Sequence, residues 1–322
     1  MNNIDINKVD LNLLKVFEAL YEEGGSGRAA VRLNLTQSAV SAALGRLRLV
    51  YGDRLFERTG RGLRPTAKAS ELKTAITAIL NQCRQTLTPL SGEAENWQGR
   101  TVILAMSDDF EIAWGSTIIN ALKRDMPGLR IQFKQTHAQL VEDMLILRQA
   151  DLAMTSGGVK SALLSRELLG SGDYACLLAE HSPGQFDLEA FLAREHILVS
   201  SGGFVGIVDE KLSARSMSRK VIASTTHFAA LPWLIKESNA IATVPAHAAK
   251  ALAEITGLVV VPCPLPLPTF SVELAMRTDS QRDASVTGVQ KVLREVIMQE
   301  LLSEPGKSLF PTGVVRVTRR PS

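Results

Sequence analysis

From Asn34 to Arg64 the chain runs NLTQSAVSAALGRLRLVYGDRLFERTGRGLR, and this stretch limits the possible folds more than any other. Thr36 is placed to cap a helix, because a threonine hydroxyl accepts one of the free N–H groups of a first helical turn. At about 100° per residue, Val40, Ala43, Leu44, Leu47 and Tyr51 fall on one side of that helix. Gln37, Ser38, Ser41, Ala42 and Gly45 fall on the other, and Arg46 and Arg48 flank them. The second face is small and polar, so it can approach a surface closely. Gln suits adenine bidentately, Ser serves several bases, and Ala42 can touch a thymine methyl. A hairpin is expected next. Arg54–Arg58 is its first strand, Thr59-Gly60-Arg61-Gly62 its turn and Leu63–Thr66 its return, with both glycines free to take a positive φ. Arg58, Arg61 and Arg64 would then be carried on a wing within reach of phosphates.

Upstream, Asp10 is expected to cap a first helix through about Glu23, in which Leu13, Leu14, Phe17, Leu20 and Tyr21 recur at helical spacing. Gly24 and Gly25 end it. Ser26 is expected to cap a short helix from Arg28 to Leu33, and Asn34-Leu35 makes the turn into the third. Two short helices joined so tightly form a helix-turn-helix arrangement. Charge supports a nucleic-acid role for it. Residues 1–65 hold ten Lys and Arg against seven Asp and Glu, an excess equal to the whole chain's net +3. A solvated polar face on an ordinary helical bundle would explain the third helix alone, but not the basic hairpin beside it.

The segments DLNLLKVFEAL, RAAVRLNLTQSAVSAALGRLR and GDRLFERTGRGLRPTAKA resemble LysR-type transcriptional regulators, closely from Val9 to about Leu87 and more loosely to about Ile297. The resemblance implies a winged helix-turn-helix in residues 1–65, a linker (dimerisation) helix and hinge in 66–97, and an effector-binding domain in 98–322. The fold class expected is α/β overall, the last part being a two-lobed, Rossmann-like unit similar to type-2 periplasmic binding proteins. It implies double-stranded DNA as partner, which would be read by Gln37, Ser38, Ser41 and Ala42, gripped by Arg46, Arg48, Arg58, Arg61 and Arg64, and approached by the capping Thr36. It further implies a homodimer or homotetramer, RNA polymerase as a possible further partner, and a small organic effector, with a carboxylate as the expected class. Three positions depart from the family's usual pattern. Ser38 stands where Pro is usual, Ala42 where a larger polar residue is frequent, and Gly27 where a β-branched residue is common. The first two suggest a changed base preference, and Gly27 a looser second helix.

Thr66 is expected to cap the long helix, with Ala69, Leu72, Ile76, Ile79 and Cys83 at a/d spacing as a seam for a second chain. A helix packed on its own domain would show a similar pattern. Pro89, Ser91, Gly92 and the polar run to Asn96 read as a hinge. Beyond it, apolar runs alternate with helical stretches: TVILAM (101–106), LRIQF (129–133), DLAMT (151–155), YACLLA (174–179), HILVS (196–200), KVIAS (220–224), AIATV (240–244), LVVV (258–261) and FSVELAM (270–276). Such alternation predicts parallel sheets built from βαβ units. The lobes implied are about 98–170 with 270–302, and about 171–266. Four prolines from Pro262 to Pro268 form a stiff crossover, and FPTGVVRVTRRPS a basic tail.

Ligands of open α/β sheets bind beyond the strands' carboxyl ends. The expected sites are therefore Ser107 and Asp108, Thr155, Ser200 and Ser201, and Thr225 and Thr226, with Trp114, Phe204 and Phe228 as an apolar wall. Matched position by position, the family's effector contacts fall on Ser107, Thr155, Ser200, Thr226 and Phe228, with Thr243 and Val244 beside the cleft. Ser, Thr and Gly at strand ends are also what turns and caps require.

Other classes fit less well. No apolar run spans a bilayer and the N-terminus lacks a secretory pattern, so a cytoplasmic protein without a membrane partner is expected. Cys83, Cys176 and Cys263 form no metal spacing and no C-x-x-C pair and read as buried small hydrophobes; the five histidines are scattered, and no metal is expected. No enzyme is expected. Pro305-Gly306-Lys307-Ser308 lacks the leading Gly of a phosphate loop, Gly25–Ala30 follows a helix rather than a strand, and no G-x-S-x-G or H-E-x-x-H occurs. A solute-binding or enzymatic α/β protein with an accessory helical domain is the alternative, and it leaves the first 97 residues without a role.

Overall fold

The structure is a computed structural model describing residues 9–60, 62–86, 97–179 and 186–303. The hinge (Pro89, Ser91, Gly92, Asn96), Arg61, the Pro305–Ser308 run and the basic tail lie outside the described residues. The chain forms two compact units, Met1–Glu93 and Ala94–Ser322.

In the first unit, α1 (Asn12–Glu23), α2 (Ser26–Leu33) and α3 (Gln37–Tyr51) precede a hairpin of β1 (Phe56–Thr59) and β2 (Gly62–Pro65), and α4 (Ala67–Thr86) follows. Leu13, Leu14, Phe17 and Leu20 are buried with Val40, Ala43, Leu44 and Leu47, so the expected apolar stripes do face one another. Asp10 accepts the N–H of Asn12 at 2.9 Å, and Gly24 ends α1 at φ 60. Ser26 is not a cap: it is the first residue of α2, and the extended Gly25 before it holds the N-cap position without a side-chain bond. The wing is pinned to the end of α1. Leu63 donates its N–H to Gly24 O at 2.8 Å, and a Cβ on Gly62 (φ +136) would meet that oxygen at 2.4 Å. Gly60, by contrast, does not use the positive φ available to it.

Thr66 caps α4 by accepting the Ala69 N–H at 3.2 Å. Part of the expected seam is used internally. Ala69, Ile76 and Leu80 are buried in the first unit's own core and Leu72 packs on it, whereas Ile79 and Cys83 are exposed. Leu80 therefore takes the inward position that the a/d pattern assigned to Ile79.

The second unit holds two five-stranded sheets. Sheet I contains β3 (Thr101–Met106), β4 (Arg130–Gln135), β5 (Leu152–Thr155), β6 (Leu164–Gly172) and β12 (Phe270–Arg277), in the order β4-β3-β5-β12-β6. Helices α5 (Asp108–Asp125), α6 (Val141–Ile146) and α11 (Ala284–Ser303) accompany it. Sheet II contains β7 (Tyr174–Leu178), β8 (Glu195–Val199), β9 (Lys220–Thr225), β10 (Ala240–Pro245) and β11 (Val259–Pro262), in the order β11-β7-β10-β8-β9. Its helices are α7 (Leu188–Leu192), α8 (Ile207–Ser213), α9 (Leu231–Ile235) and α10 (Ala246–Thr256), and a 3-10 turn at Phe228–Ala230 precedes α9.

The sheets are mixed rather than parallel. β3 runs parallel to β4 and β5, and β8 to β9 and β10, but β12 is antiparallel to both β5 and β6, and β7 to both β10 and β11. β6 was not among the expected strands. It is an edge strand with one partner, and its sequence LSRELLGSG interleaves leucines with Ser, Arg, Glu and Gly instead of forming an apolar run.

Candidate nucleic-acid interface and interlobe cleft

On α3, Gln37, Ser38, Ser41 and Ala42 are all exposed, directly opposite the buried Val40, Ala43, Leu44 and Leu47. The helix start is rigidly framed. Thr36 Oγ1 accepts the Ala39 N–H at 3.2 Å and lies 3.0 Å from Ser38 Oγ, so the serine that replaces the usual proline is tied to the cap. Four residues of small volume or flexible polarity thus form one accessible face that can enter a major groove.

The arginines around this face are not equivalent. Arg46 lies 3.7 Å from Asp10 in an exposed pair, which at such a site contributes little. Arg48 donates from Nε to Arg54 O at 2.8 Å and from Nη2 to Phe56 O at 3.0 Å, so its guanidinium ties α3 to the first strand of the wing. In the hairpin register, Glu57 faces Arg64 and Arg58 faces Leu63. Residues directly opposite in an antiparallel pair share a face. Arg58 and Arg64 therefore project from opposite faces of the wing rather than in one row, although both are exposed. Arg58, Arg54, Arg48, Phe56 and Glu57 line an open surface depression beside the wing.

In the second unit the carboxyl ends of the two sheets meet. Ser107 is the N-cap residue of α5, and its hydroxyl is hydrogen-bonded to Asp109. Asp108, buried, accepts the Ala229 N–H at 3.0 Å across the cleft and the Gln135 amide at 3.5 Å. Asp109, also buried, pairs with His247 Nε2 at 3.0 Å, again across the cleft. The His247 ring stacks on Phe110 at 5.1 Å and Trp114 at 4.7 Å and meets the edge of Phe270 at 6.0 Å. Trp114 is accordingly buried in the core of lobe I, the lobe built on sheet I, instead of forming an open wall.

Of the other expected residues, Thr155 is buried and donates to Gly157 O at 2.5 Å. The chain turns there through Gly158 (φ +89), where a Cβ would strike Ala138 O at 2.0 Å. Ser200 and Thr225 end adjacent strands: Ser200 donates its N–H to Thr225 O at 2.8 Å and accepts from Gly202 N–H at 3.1 Å, while Thr225 Oγ1 accepts the His227 N–H at 3.3 Å. Ser201, Thr226 and Phe204 are exposed, and Phe228 packs partly on the core of lobe II, built on sheet II. Thr243 is aimed elsewhere. Its hydroxyl lies 3.7 Å from Cys176 Sγ, on the sheet face that packs with Phe191 and Leu212.

Sequence reasoning passed over His247 and Thr136. Thr136 is buried just beyond β4, donates its N–H to Met106 O at 3.1 Å, and leaves its hydroxyl with no partner among the described residues. A buried polar atom of this kind calls for a partner. A hydroxyl directly after the strand LRIQFKQ was the available signal. The Asp109–His247 pair had none, because 138 residues separate its members.

A winged helix-turn-helix on one unit and two α/β lobes tied together at their strands' carboxyl ends on the other define a ligand-responsive DNA-binding transcriptional regulator. Residues 11–70 match the family described as bacterial regulatory helix-turn-helix protein, lysR family, and residues 95–297 match the LysR substrate binding domain. The chain belongs to the LysR family. It is 29% identical over 291 residues to the HTH-type transcriptional activator NahR of Pseudomonas putida, covering 87% of this chain and 95% of that one. Nodulation protein D 1 of Bradyrhizobium sp. (strain NC92) is 28% identical over 302 residues, covering 91% of this chain and 93% of the relative. The crystal structure of the probable transcriptional regulator PA0477 from Pseudomonas aeruginosa superposes with a TM-score of 0.70 at 28% identity, covering 89% of this chain and 98% of that one. NahR is named as a transcriptional activator and PA0477 as a probable transcriptional regulator, and among the described residues no helix is long and apolar enough to cross a membrane.

Proposed function

We propose that Gln37, Ser38, Ser41 and Ala42 read bases in a major groove, that Thr36 sits at the DNA as the cap of the reading helix, and that Arg46, Arg58, Arg61 and Arg64 bind flanking phosphates. Arg48 contributes in two ways, as a charge beside the groove and as the strap holding the wing strand. The observation that carries this reading is the division of α3, whose exposed face is small and polar while its opposite face is fully buried. Two copies acting together would read the two halves of an interrupted palindrome, joined through the outer face of α4, where Ile79 and Cys83 are exposed. Dimer or tetramer assembly and contact with RNA polymerase belong to the same proposal.

The small organic effector, a carboxylate by expectation, would lie where the two sheets' carboxyl ends meet, against Ser107, Thr136, Thr155, Ser200 and Thr225. Asp108 and Asp109 act there mainly as interlobe ties, their carboxylates already occupied. Binding would alter the angle between lobes and so the assembly bound to DNA. The DNA half is tested by fluorescence anisotropy of the full chain with a duplex from its own upstream region. Affinity should fall by roughly 10³-fold or more between 50 and 200 mM salt, as six or more displaced phosphate counterions require. A salt-independent affinity would contradict the phosphate contacts.

A further inference from the structure

The two cysteines of lobe II are far apart in sequence but adjacent in space. In the register of β7 and β11, Cys176 faces Val261, so Cys263, two residues on, lies diagonally beside it on the same face of the sheet. Both side chains pack in one apolar cluster with Phe191, Val208 and Leu212, which brings the two thiols close enough to influence each other. Cys176 is fully buried, whereas Cys263 is partly exposed just after β11, where the proline-rich crossover toward β12 begins. We propose that Cys176 and Cys263 form a reversible dithiol–disulfide couple, oxidised by hydroperoxides, at the base of the crossover between the two lobes.

The surroundings favour this chemistry. The neighbouring Cys176 thiol draws the Cys263 thiol down to about 7 against the opposing effect of burial, helped by the Leu265 N–H and the Arg219 charge. The contact with Cys263 and its own burial push the Cys176 thiol upward, so the shared proton rests on Cys176. Arg219 is itself fixed, bidentate to Asp209 at 2.8 Å through both Nε and Nη2. The Cys263 thiolate attacks one oxygen of the hydroperoxide, breaking the O–O bond and releasing hydroxide or alkoxide, and becomes a sulfenic acid. The Cys176 sulfur then attacks that sulfur. Its proton leaves with the sulfenic oxygen as water, and the S–S bond forms. Cys263 stands beyond the last paired residue of β11, so the segment that must shift to close the bond is the crossover itself.

The full chain carrying Cys83→Ser, which removes the one other thiol, should lose two hydrogens on treatment with hydrogen peroxide. Digestion should yield a Cys176–Cys263 peptide that dithiothreitol separates. Cys263 in the folded chain should react roughly tenfold faster at pH 7 than in urea, as the larger thiolate fraction predicts. Cys176→Ser in the same background should instead leave a Cys263 sulfenic acid that dimedone captures. The proposal is overturned if Cys263 proceeds to a sulfinic acid with Cys176 present, or if both thiols still react with maleimide after peroxide treatment and unfolding.

Discussion

Replacing His247 with Ala tests what holds the two lobes together. The imidazole is bonded to Asp109, and each side chain is only 6% exposed. Its removal leaves a buried carboxylate facing lobe II without its partner, which costs about 3–5 kcal/mol in comparable buried pairs. The ring also stacks on Phe110 and Trp114, and each aromatic contact adds about 0.5–1.5 kcal/mol beyond area burial. Some of this is recovered because Ser107 still holds Asp109. A net loss of about 4 kcal/mol should lower the melting temperature of the α/β unit by about 8–16 °C, at about 2–4 °C per kcal/mol for a unit of this size. Scanning calorimetry of the full chain would measure it, with the helix-turn-helix transition as an internal reference. In an Asp109→Asn background the same substitution should cost less, since no charge is then stranded. A shift under 2 °C, or an equal shift in both backgrounds, would refute the reasoning.

Three further outcomes are expected. A Cβ on Gly27 meets nothing within 4 Å and its φ is ordinary, so Gly27→Ala should stabilise the first unit by about 0.5 kcal/mol, seen as a higher urea midpoint with unchanged m. His196, buried against Phe191 O and the Arg219 guanidinium, is held down to about 4, first by burial and then by that charge. Between pH 6.5 and about 4 the unfolded chain takes up a proton that the native chain refuses. Its contribution is thus complete above 6.5 and falls by about 3 kcal/mol on acidification, a slope that His196→Gln should flatten in urea titrations at each pH. Thr136→Val removes the unpartnered hydroxyl while keeping the shape. It should leave stability within about 1 kcal/mol of the parent yet abolish the thermal shift given by a small carboxylate or phenol that binds the parent, and an unchanged ligand shift would place the effector elsewhere.

What could be read from sequence was what local periodicity encodes. The stripe Val40, Ala43, Leu44, Leu47 and its polar counterpart are set by helix geometry alone, and the structure places both where the spacing predicts. The caps Thr36 and Thr66 are local in the same way. The nine apolar runs all became strands, even β4 and β9, which hold no fully buried residue, whereas the edge strand Leu164–Gly172 interleaves its leucines with Ser, Arg, Glu and Gly and left no such mark. Strand direction was invisible, since FSVELAM reads the same whether it runs parallel or antiparallel to β5. So were contacts made by register across long separations: Cys176 with Cys263, Asp109 with His247, and the opposite projection of Arg58 and Arg64, which depends on Glu57 facing Arg64.

In the proposed function α3 selects sequence while the wing supplies affinity. Anisotropy titrations of Gln37→Ala and Arg58→Ala against an operator and a panel of single-base variants test it most directly. Gln37→Ala should erase discrimination at one base position, worth about 1–3 kcal/mol there, while retaining affinity for DNA in general. Arg58→Ala should weaken binding to every duplex alike and reduce the salt slope by about one. If the two variants shift the whole panel in the same way, the division between base-reading helix and phosphate-binding wing is wrong.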